Sequence, residues 1–488
     1  MNNSGLRQQA VSGAKWVGTA NIATTLLLFI RLTILGRILD PSDFGLMSMI
    51  MVVINFAFVF SDIGISKAII QRQDINKEQL STLYWINIIM GIMIMLAIMA
   101  TAPWVAAFYR EERLILLTMI CSLTFPITAI GQQFQVLLEK SMKFDTLAFA
   151  DIMSSLVGTV TTIVCALLGL EVFSLVVGQL TIATVKMLFT LIPGLKMHKP
   201  ILYFNKAEIK GFIGFGLFQM GERCVDYLSG NISSILIGRF LGPEILGVYY
   251  FAYQIVLMPL SRINPILTRV AFPIFSVKQS DNNALSRGYI ELSKLIATIV
   301  IPILAGIAVT AQLAIPLVFG SKWLDSIILI QIMAIRGVFL ALCNPIGTIQ
   351  LAKGRADIGF YWNIIIFLLG TLLMLLTIGY GVIVLTVTQV ALSIFSFVAS
   401  LFIIRYMIGM GIPEYSSAVS KPGKYSLIMG TLVYLAYLAI SALNINQYIL
   451  LGVLVLFGVM IYLALEFTFD RTYCMDLWKS LLYRRRAV

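Results

Sequence analysis

The sequence predicts an all-α polytopic membrane protein of about fourteen transmembrane helices, arranged as two equivalent six-helix lobes with a C-terminal helix pair appended. Three observations predict this class. Hydrophobic residues make up 59% of the 488 and charged residues 12%, against roughly 45–50% and about 25% in soluble domains; a soluble fold has no interior large enough to hide the difference. Charge-free runs at 86–100, 155–170 and 364–377 reach, with their flanks, the roughly 20 residues that cross about 30 Å of hydrocarbon as a helix. A ten-residue signature, G-R-x-L-x-P-x-x-x-G, occurs twice, as Gly36-Arg37-Ile38-Leu39-Asp40-Pro41-Ser42-Asp43-Phe44-Gly45 and as Gly238-Arg239-Phe240-Leu241-Gly242-Pro243-Glu244-Ile245-Leu246-Gly247. Each copy closes one apolar segment and opens the next, so one helix-loop-helix corner is present in duplicate.

The spans follow in order from apolar length and breakers. The first, centred near Thr25, is preceded by only Arg7 and Lys15 and is too long for a signal-peptide core, so it is expected to be retained. The second, near Val53, starts at the first signature and ends at Asp62. Spans three (near Met93) and four (near Ser122) are joined outside by a turn carrying Arg110 and Arg113, and Pro126 is placed to kink the fourth. Spans five (near Val157) and six (near Ala183) carry Asp151 and Lys186. The N-lobe is then 1–196, the cytoplasmic inter-lobe linker 197–210, and the C-lobe 211–408. Span seven, near Val225, opens on Gly211, Gly214, Gly216 and Gly221, small residues that permit close helix approach. Span eight (near Ile255) follows the second signature, and spans nine to twelve centre near Ile303, Ala334, Phe367 and Ile394. Residues 409–488 hold spans thirteen (near Tyr434) and fourteen (near Val455) and a basic tail.

The duplication extends into the inner loops. Lys67 and Arg269 hold equivalent positions after spans two and eight, and Lys140-x-x-Lys143-x-Asp145 after span four resembles Lys353-x-Arg355-x-Asp357 after span ten. Six is an even number of crossings, so the two halves share one orientation, related by an axis along the membrane normal.

Charge gives the orientation. With the N-terminus in the cytoplasm, outer loops receive Arg37, Arg110, Arg113, Arg239 and Lys322, and inner loops and ends most of the rest of the 35 lysines and arginines. This is the positive-inside pattern, and it places both termini in the cytoplasm. The net charge of +12 is therefore a topological signal and an attraction to anionic membrane lipids, not a nucleic-acid surface: the basic residues are scattered with no patch of interleaved aromatics. The single histidine, His198, is expected exposed in a basic loop, and no metal site or His-based catalytic triad can be assembled from it. The five cysteines, Cys121, Cys165, Cys224, Cys343 and Cys474, have no C-x-x-C spacing and read as small hydrophobes. All outer loops are short, on the order of ten residues, which leaves no domain to hold an enzyme active site. Neither a cofactor nor catalysis is expected.

Charged residues within the spans are the informative ones. Arg31 in span one, Lys186 in six, Arg223 in seven, Arg262 in eight and Arg336 in ten remain after the loops are counted, each costing about 2.5–3.5 kcal/mol at a helix centre. Asp62, Glu222 and Asp226 are the acidic counterparts, with Asp151 at the start of span five. Glu222 and Asp226, four apart on one helical face, can satisfy part of the Arg223 charge locally. An excess of intramembrane cations suggests a positively lined aqueous cavity that selects anions, and arginine forks match phosphate oxygens bidentately. Carboxylates in such positions often serve proton relays, which makes Asp62, Glu222 and Asp226 candidates for H+ or Na+ coupling. Tyr249 and Tyr253 on span eight are candidates to stack on sugar rings.

Ser12-Gly13-Ala14-Lys15-Trp16, Ser61-Asp62-Ile63-Gly64-Ile65, Thr82-Leu83-Tyr84-Trp85 and Gly131-Gln132-Gln133-Phe134 in the first half resemble Wzx-type polysaccharide repeat-unit flippases. Asn264-Pro265-Ile266-Leu267-Thr268-Arg269, Pro316-Leu317-Val318-Phe319-Gly320-Ser321-Lys322-Trp323 and Asn344-Pro345-Ile346-Gly347 extend the likeness through the second half, closest to the colanic-acid exporter subgroup. The resemblance implies the multidrug/oligosaccharidyl-lipid/polysaccharide (MOP) superfamily: two lobes in a V, alternating access, and an undecaprenyl-diphosphate-linked oligosaccharide as cargo. It further implies a bacterial inner-membrane location and a last helix pair that can form a lipid-facing groove. On this reading Arg31, Arg223 and Arg336 hold the diphosphate or acidic sugars, with Lys186 and Arg262 nearer the cytoplasmic half of the path. A monomer is expected, working beside other polysaccharide assembly proteins. The rival reading is a cation-coupled multidrug antiporter of the same superfamily, which would want buried carboxylates where this chain has cations.

Overall fold

The computed structural model describes residues 3–61, 69–70, 75–203, 205, 216–441 and 445–471. Asp62, Lys67, Arg72, Lys206, Lys210, Cys474 and the basic run Arg484, Arg485 and Arg486 lie outside the described residues, as do the side chains of Glu222 and Arg269. Fifteen α-helices account for most of the remainder. They are α1 (Asn3–Ile38), α2 (Pro41–Ser61), α3 (Lys77–Tyr109), α4 (Arg113–Ser122), α5 (Thr124–Lys140), α6 (Phe144–Leu167), α7 (Glu171–Leu195), α8 (Gly216–Val277), α9 (Asn282–Val318), α10 (Ser326–Cys343), α11 (Pro345–Ala352), α12 (Ala356–Thr377), α13 (Val382–Ile408), α14 (Ile412–Ser441) and α15 (Gln447–Phe469).

Thirteen segments among the described residues are long and apolar enough to cross a membrane. The difference from fourteen lies in α8, where Arg223–Asn264 is one segment of 42 residues. Forty-two residues of helix run about 63 Å, twice the hydrocarbon thickness. Gly242 breaks it, with φ 87° and ψ 177°, a conformation open essentially to glycine alone, so spans seven and eight are both present. Two further spans are broken at matching places in the repeat: α4 passes into α5 at Leu123, and α10 into α11 at Asn344, with Pro345 opening α11.

The chain packs as two compact units, Met1–Gly247 and Val248–Val488. The division falls inside α8, after the second signature, and not in the 197–210 loop. In the first unit α6 packs on α7 and α1, and α5 on α7 and α3. In the second, α9 packs on α10, α14 and α15, and α13 on α10 and α12.

The two signatures meet within the first unit. Pro41 starts α2, and the Asp43 carboxylate accepts the Asp40 N–H at 3.0 Å, closing the helix start from its third position. Pro243 takes the same role after Gly242. A Cβ added to Gly45 would lie 1.7 Å from the Pro243 carbonyl oxygen, and one added to Gly247 would lie 1.7 Å from the Pro41 carbonyl oxygen. The contact is reciprocal: the last glycine of each signature receives the proline backbone of the other.

The duplication also recurs in how the loops after the second span of each repeat are tied down. Lys140, at the end of α5, donates to the Ile69 carbonyl at 2.9 Å, while Lys353, after α11, donates to the Gln279 carbonyl at 3.0 Å and to Asn282 Oδ1 at 2.8 Å. In each unit the lysine ending the fourth span of its repeat holds the loop that follows the second.

His198 departs from its expected exposure: it is 5% exposed, pressed against the start of α3. Asn76 and Gln79 form a capping box there, and the linker docks beside it through Trp85 Nε1 donating to the Ile201 carbonyl at 2.9 Å. Ser81 Oγ donates to the Lys77 carbonyl at 2.8 Å and accepts the Ile201 N–H at 3.1 Å. Its one proton is thereby used, so the His198 Nε2 contact at 3.4 Å requires the proton on the imidazole. Burial, then the nearby Lys77 charge, holds the His198 pKa below its ordinary value, so the neutral ring is the docked form.

Gly45→Ala and Gly247→Ala are each expected to destabilise the protein by about 1–3 kcal/mol through overpacking against backbone. Gly230→Ala, with open space around its Cβ, is expected to be neutral or slightly stabilising; thermal unfolding of the detergent-purified variants measures all three. Docking of the 197–203 segment is expected to hold above about pH 6.5 and to weaken as pH falls through that value, because the free imidazole protonates before the docked one. Hydrogen exchange or proteolysis of the segment at pH 7.5 and 5.5 reads this, and His198→Gln removes the pH dependence.

Candidate functional site

Arg336 lies on α10, half-buried, with long apolar stretches on both sides. Its Nη1 donates to Gln389 Oε1 of α13 at 2.9 Å. The same oxygen accepts the Tyr249 hydroxyl of α8 at 3.0 Å. Two donors facing one atom fix the amide orientation, since a guanidinium cannot accept; Gln389 Nε2 then points to Met374 Sδ of α12 at 3.8 Å. The Arg336 Nε is shielded from solvent and has no acceptor. Among the described residues no carboxylate pairs with Arg336. Four helices of the second unit thus hold one guanidinium on a neutral amide, leaving its charge uncompensated.

The tyrosines expected on sugar rings are arranged differently. Tyr249 is 2% exposed, its ring stacked on Tyr253 with centroids 6.2 Å apart, so its hydroxyl and both faces are used inside the unit. Tyr253 is half-buried.

Lys186 on α7 is paired with Asp151 of α6 at 2.8 Å, both side chains over a third exposed. The pair borders a pocket of about 430 Å³ in the first unit, which Asn21 of α1 and Gln135 and Glu139 of α5 also line. Gln135 donates to Glu139 at 3.1 Å. Counting Lys186, Asp151 and Glu139, the charged wall is not positive, against the expectation for Lys186. Arg31 is half-buried on α1, Arg223 half-buried on α8, Arg262 exposed further along α8, and Asp226 exposed. Arg239, expected in an outer loop, lies within α8 with its guanidinium 5.6 Å from the centre of the Phe108 ring.

A family profile described as polysaccharide biosynthesis protein matches residues 34–328. The teichuronic acid biosynthesis protein TuaB of Bacillus subtilis (strain 168) is 34% identical over 463 residues, covering 94% of this chain and 95% of TuaB. The chain belongs to the polysaccharide biosynthesis family.

The lipopolysaccharide biosynthesis protein WzxC of Escherichia coli (strain K12) is 33% identical over 359 residues, 74% of this chain and 73% of WzxC. Among solved structures, the lipid II flippase MurJ superposes with a TM-score of 0.74 at 15% identity, covering 95% of this chain and 99% of MurJ. An inward-facing multidrug resistance MATE transporter of the MOP superfamily gives 0.61 at 15% identity, covering 79% and 95%. The polysaccharide biosynthesis family member described here therefore has the MOP fold and is a multi-pass membrane protein.

In this family member the C-terminal helix pair is built onto α9. Met429 and Val433 of α14 and Leu450, Leu454 and Tyr462 of α15 pack with Leu313, and an apolar cavity of about 400 Å³ lies between the three helices, walled by Pro302, Gly306 and Gly458 among others. At the end bounded by Thr298, Tyr462 donates to the Thr298 carbonyl at 2.9 Å and contacts Glu466 Oε1 at 2.9 Å, and Lys294 pairs with Asp470 at 2.6 Å. Glu466 and Asp470 are buried. Neither these acids nor Gln389 was expected; an isolated amide within the apolar run of α13 was the available signal for Gln389.

Lys186→Met and Asp151→Asn are each expected to cost more than the double substitution, with a coupling under about 1 kcal/mol because the pair is part-exposed. A double-mutant cycle on thermal unfolding measures it.

Proposed function

We propose that this chain flips a lipid-linked oligosaccharide, an undecaprenyl-diphosphate-linked polysaccharide repeat unit, from the cytoplasmic to the periplasmic or outer leaflet by alternating access. Family membership and relatives named for lipopolysaccharide and teichuronic acid biosynthesis support the cargo class, as does the succinoglycan biosynthesis transport protein ExoT of Rhizobium meliloti. The observation that carries the reading is Arg336. A guanidinium in an apolar helix is expensive, and one fastened to an amide keeps a full positive charge for an anionic ligand. Phosphate oxygens match its fork.

On this reading Arg336, with Arg31 and Arg223, holds the diphosphate or acidic sugars as the headgroup crosses. Lys186, with Asp151 as its counterion, stands at the 430 Å³ pocket on the cytoplasmic half of the path, where Asn21, Gln135, Glu139 and the ion pair offer donors and acceptors that suit sugar hydroxyls better than a diphosphate. Arg262 is exposed and suits a lipid headgroup. The prenyl tail stays in lipid, with the apolar cavity beside α9, α14 and α15 offering it a groove. Coupling to H+ or Na+ would use Asp62, Glu222 or Asp226. The protein acts in the bacterial inner membrane with both termini cytoplasmic, as the lysine and arginine distribution supports, working as a monomer that passes its cargo to other polysaccharide assembly proteins. A multidrug antiporter would instead need acids facing a cationic drug, and Arg336 has the opposite sign.

In a strain lacking the chromosomal copy, Arg31→Ala and Arg336→Ala proteins are expected to insert normally yet leave surface polysaccharide at a few per cent of the parent level. Lipid-linked oligosaccharide should accumulate in the inner leaflet. Normal export by both variants overturns the assignment.

A further inference from the structure

We infer that Gln389 is a positioning and specificity-determining residue: it aims the Arg336 guanidinium while leaving its charge uncompensated, so that α10 and α13 together present a monovalent cation to a phosphate- or diphosphate-bearing ligand. The inference rests on the reading of Arg336 as a cargo residue and goes further by saying what keeps it available.

An arginine within an apolar helix can be accommodated in two ways. A carboxylate neutralises it, and the pair is then closed to other anions; a neutral acceptor satisfies one donor and orients the group without cancelling its charge. Lys186 and Lys294 follow the first route, through Asp151 and Asp470. Arg336 follows the second. Glutamine and glutamate differ at one atom, so position 389 could hold the guanidinium with a carboxylate of the same reach, and the chain has the amide there.

The amide is itself held with some care. It is 2% exposed, and the Tyr249 hydroxyl is the second donor to Oε1, at 3.0 Å. That contact prevents the amide from turning its NH2 toward Arg336, an orientation that would set donor against donor. Tyr249 is in turn stacked on Tyr253. With Nη1 engaged by Gln389 and Nε shielded from solvent without an acceptor, Nη2 is the donor left to face a phosphoryl oxygen, and the whole guanidinium keeps its charge.

A purely structural role for the same contacts, as a staple between α10 and α13, makes the opposite prediction for one substitution. Gln389→Glu strengthens a staple, because an ion pair replaces a bond between a cation and a neutral amide, but it cancels the charge a ligand would read. The experiment uses the full-length protein in detergent, with inorganic diphosphate as probe, measuring affinity by calorimetry and the midpoint of thermal unfolding in parallel. Gln389→Glu is expected to keep or raise the midpoint while weakening diphosphate binding at least tenfold, and to abolish export in the deletion strain. Gln389→Met, which removes the acceptor and leaves the charge, is expected to weaken binding several-fold with no rise in the midpoint.

Parental diphosphate affinity in Gln389→Glu, or in Gln389→Met should the glutamate variant not fold, overturns the inference. Arg336→Gln separates the two levels. If it loses binding while both Gln389 variants keep it, Gln389 is only a staple and the Arg336 reading stands. If Arg336→Gln binds diphosphate as the parent does, both fall.

Discussion

The first unit depends on a backbone-to-backbone contact that only glycine allows. At Gly45 and Gly247 the helices come so close that a single methyl group would overlap a proline carbonyl. Each proline is there because it starts the helix that carries the glycine of its own signature, its fixed φ and missing N–H matching a first helical position. One ten-residue motif therefore supplies both halves of the contact, the corner and the socket, and two copies complete each other. Within a membrane, where apolar burial gives no net drive for helices to associate, close approach and dispersion are what remain to hold such a crossing. This explains why the signature retains its proline and its last glycine across the duplication while the three residues between those two change.

Charges are handled by three different devices, and the difference bears on what each can do. Lys186 and Lys294 are closed by carboxylates; Arg239 lies over an aromatic face; Arg336 is held by an amide. Closed pairs tie helices together, Lys186 joining α7 to α6 and Lys294 joining α9 to the end of α15. An arginine on a neutral acceptor contributes less to stability and retains a field, which in low dielectric is felt by any anion that approaches. In the second unit the anchoring of the C-terminal helix pair and the candidate anion site are thus separate pieces of chemistry, on different helices.

The family frame agrees with this division. The fold is shared by proteins named for different cargoes, as the likeness to both a lipid II flippase and a multidrug transporter illustrates, so fold alone does not choose between them. Sequence identity to TuaB and WzxC chooses the polysaccharide branch. The uncompensated guanidinium within the second unit is chemically consistent with that choice.

Much of the architecture was legible in the sequence, because hydrocarbon thickness and the need to satisfy every backbone hydrogen bond leave a membrane chain few options. Span positions and the repeated corner followed from apolar length, breakers and motif spacing. What spacing could not give was which side chains meet. It marked Lys186 and Arg336 alike as intramembrane cations, whereas the fold gives one a carboxylate and the other an amide, because their partners come from other helices and are fixed by packing. His198 reads as a loop residue, yet docking on α3 buries it. Tyr249 reads as a sugar platform, yet its ring and hydroxyl are spent holding Gln389. The sequence by itself determined how often the chain crosses and where it turns, through local length and backbone chemistry; only the tertiary structure decided which charges remain available, since neutralisation depends on contacts between residues far apart in the chain.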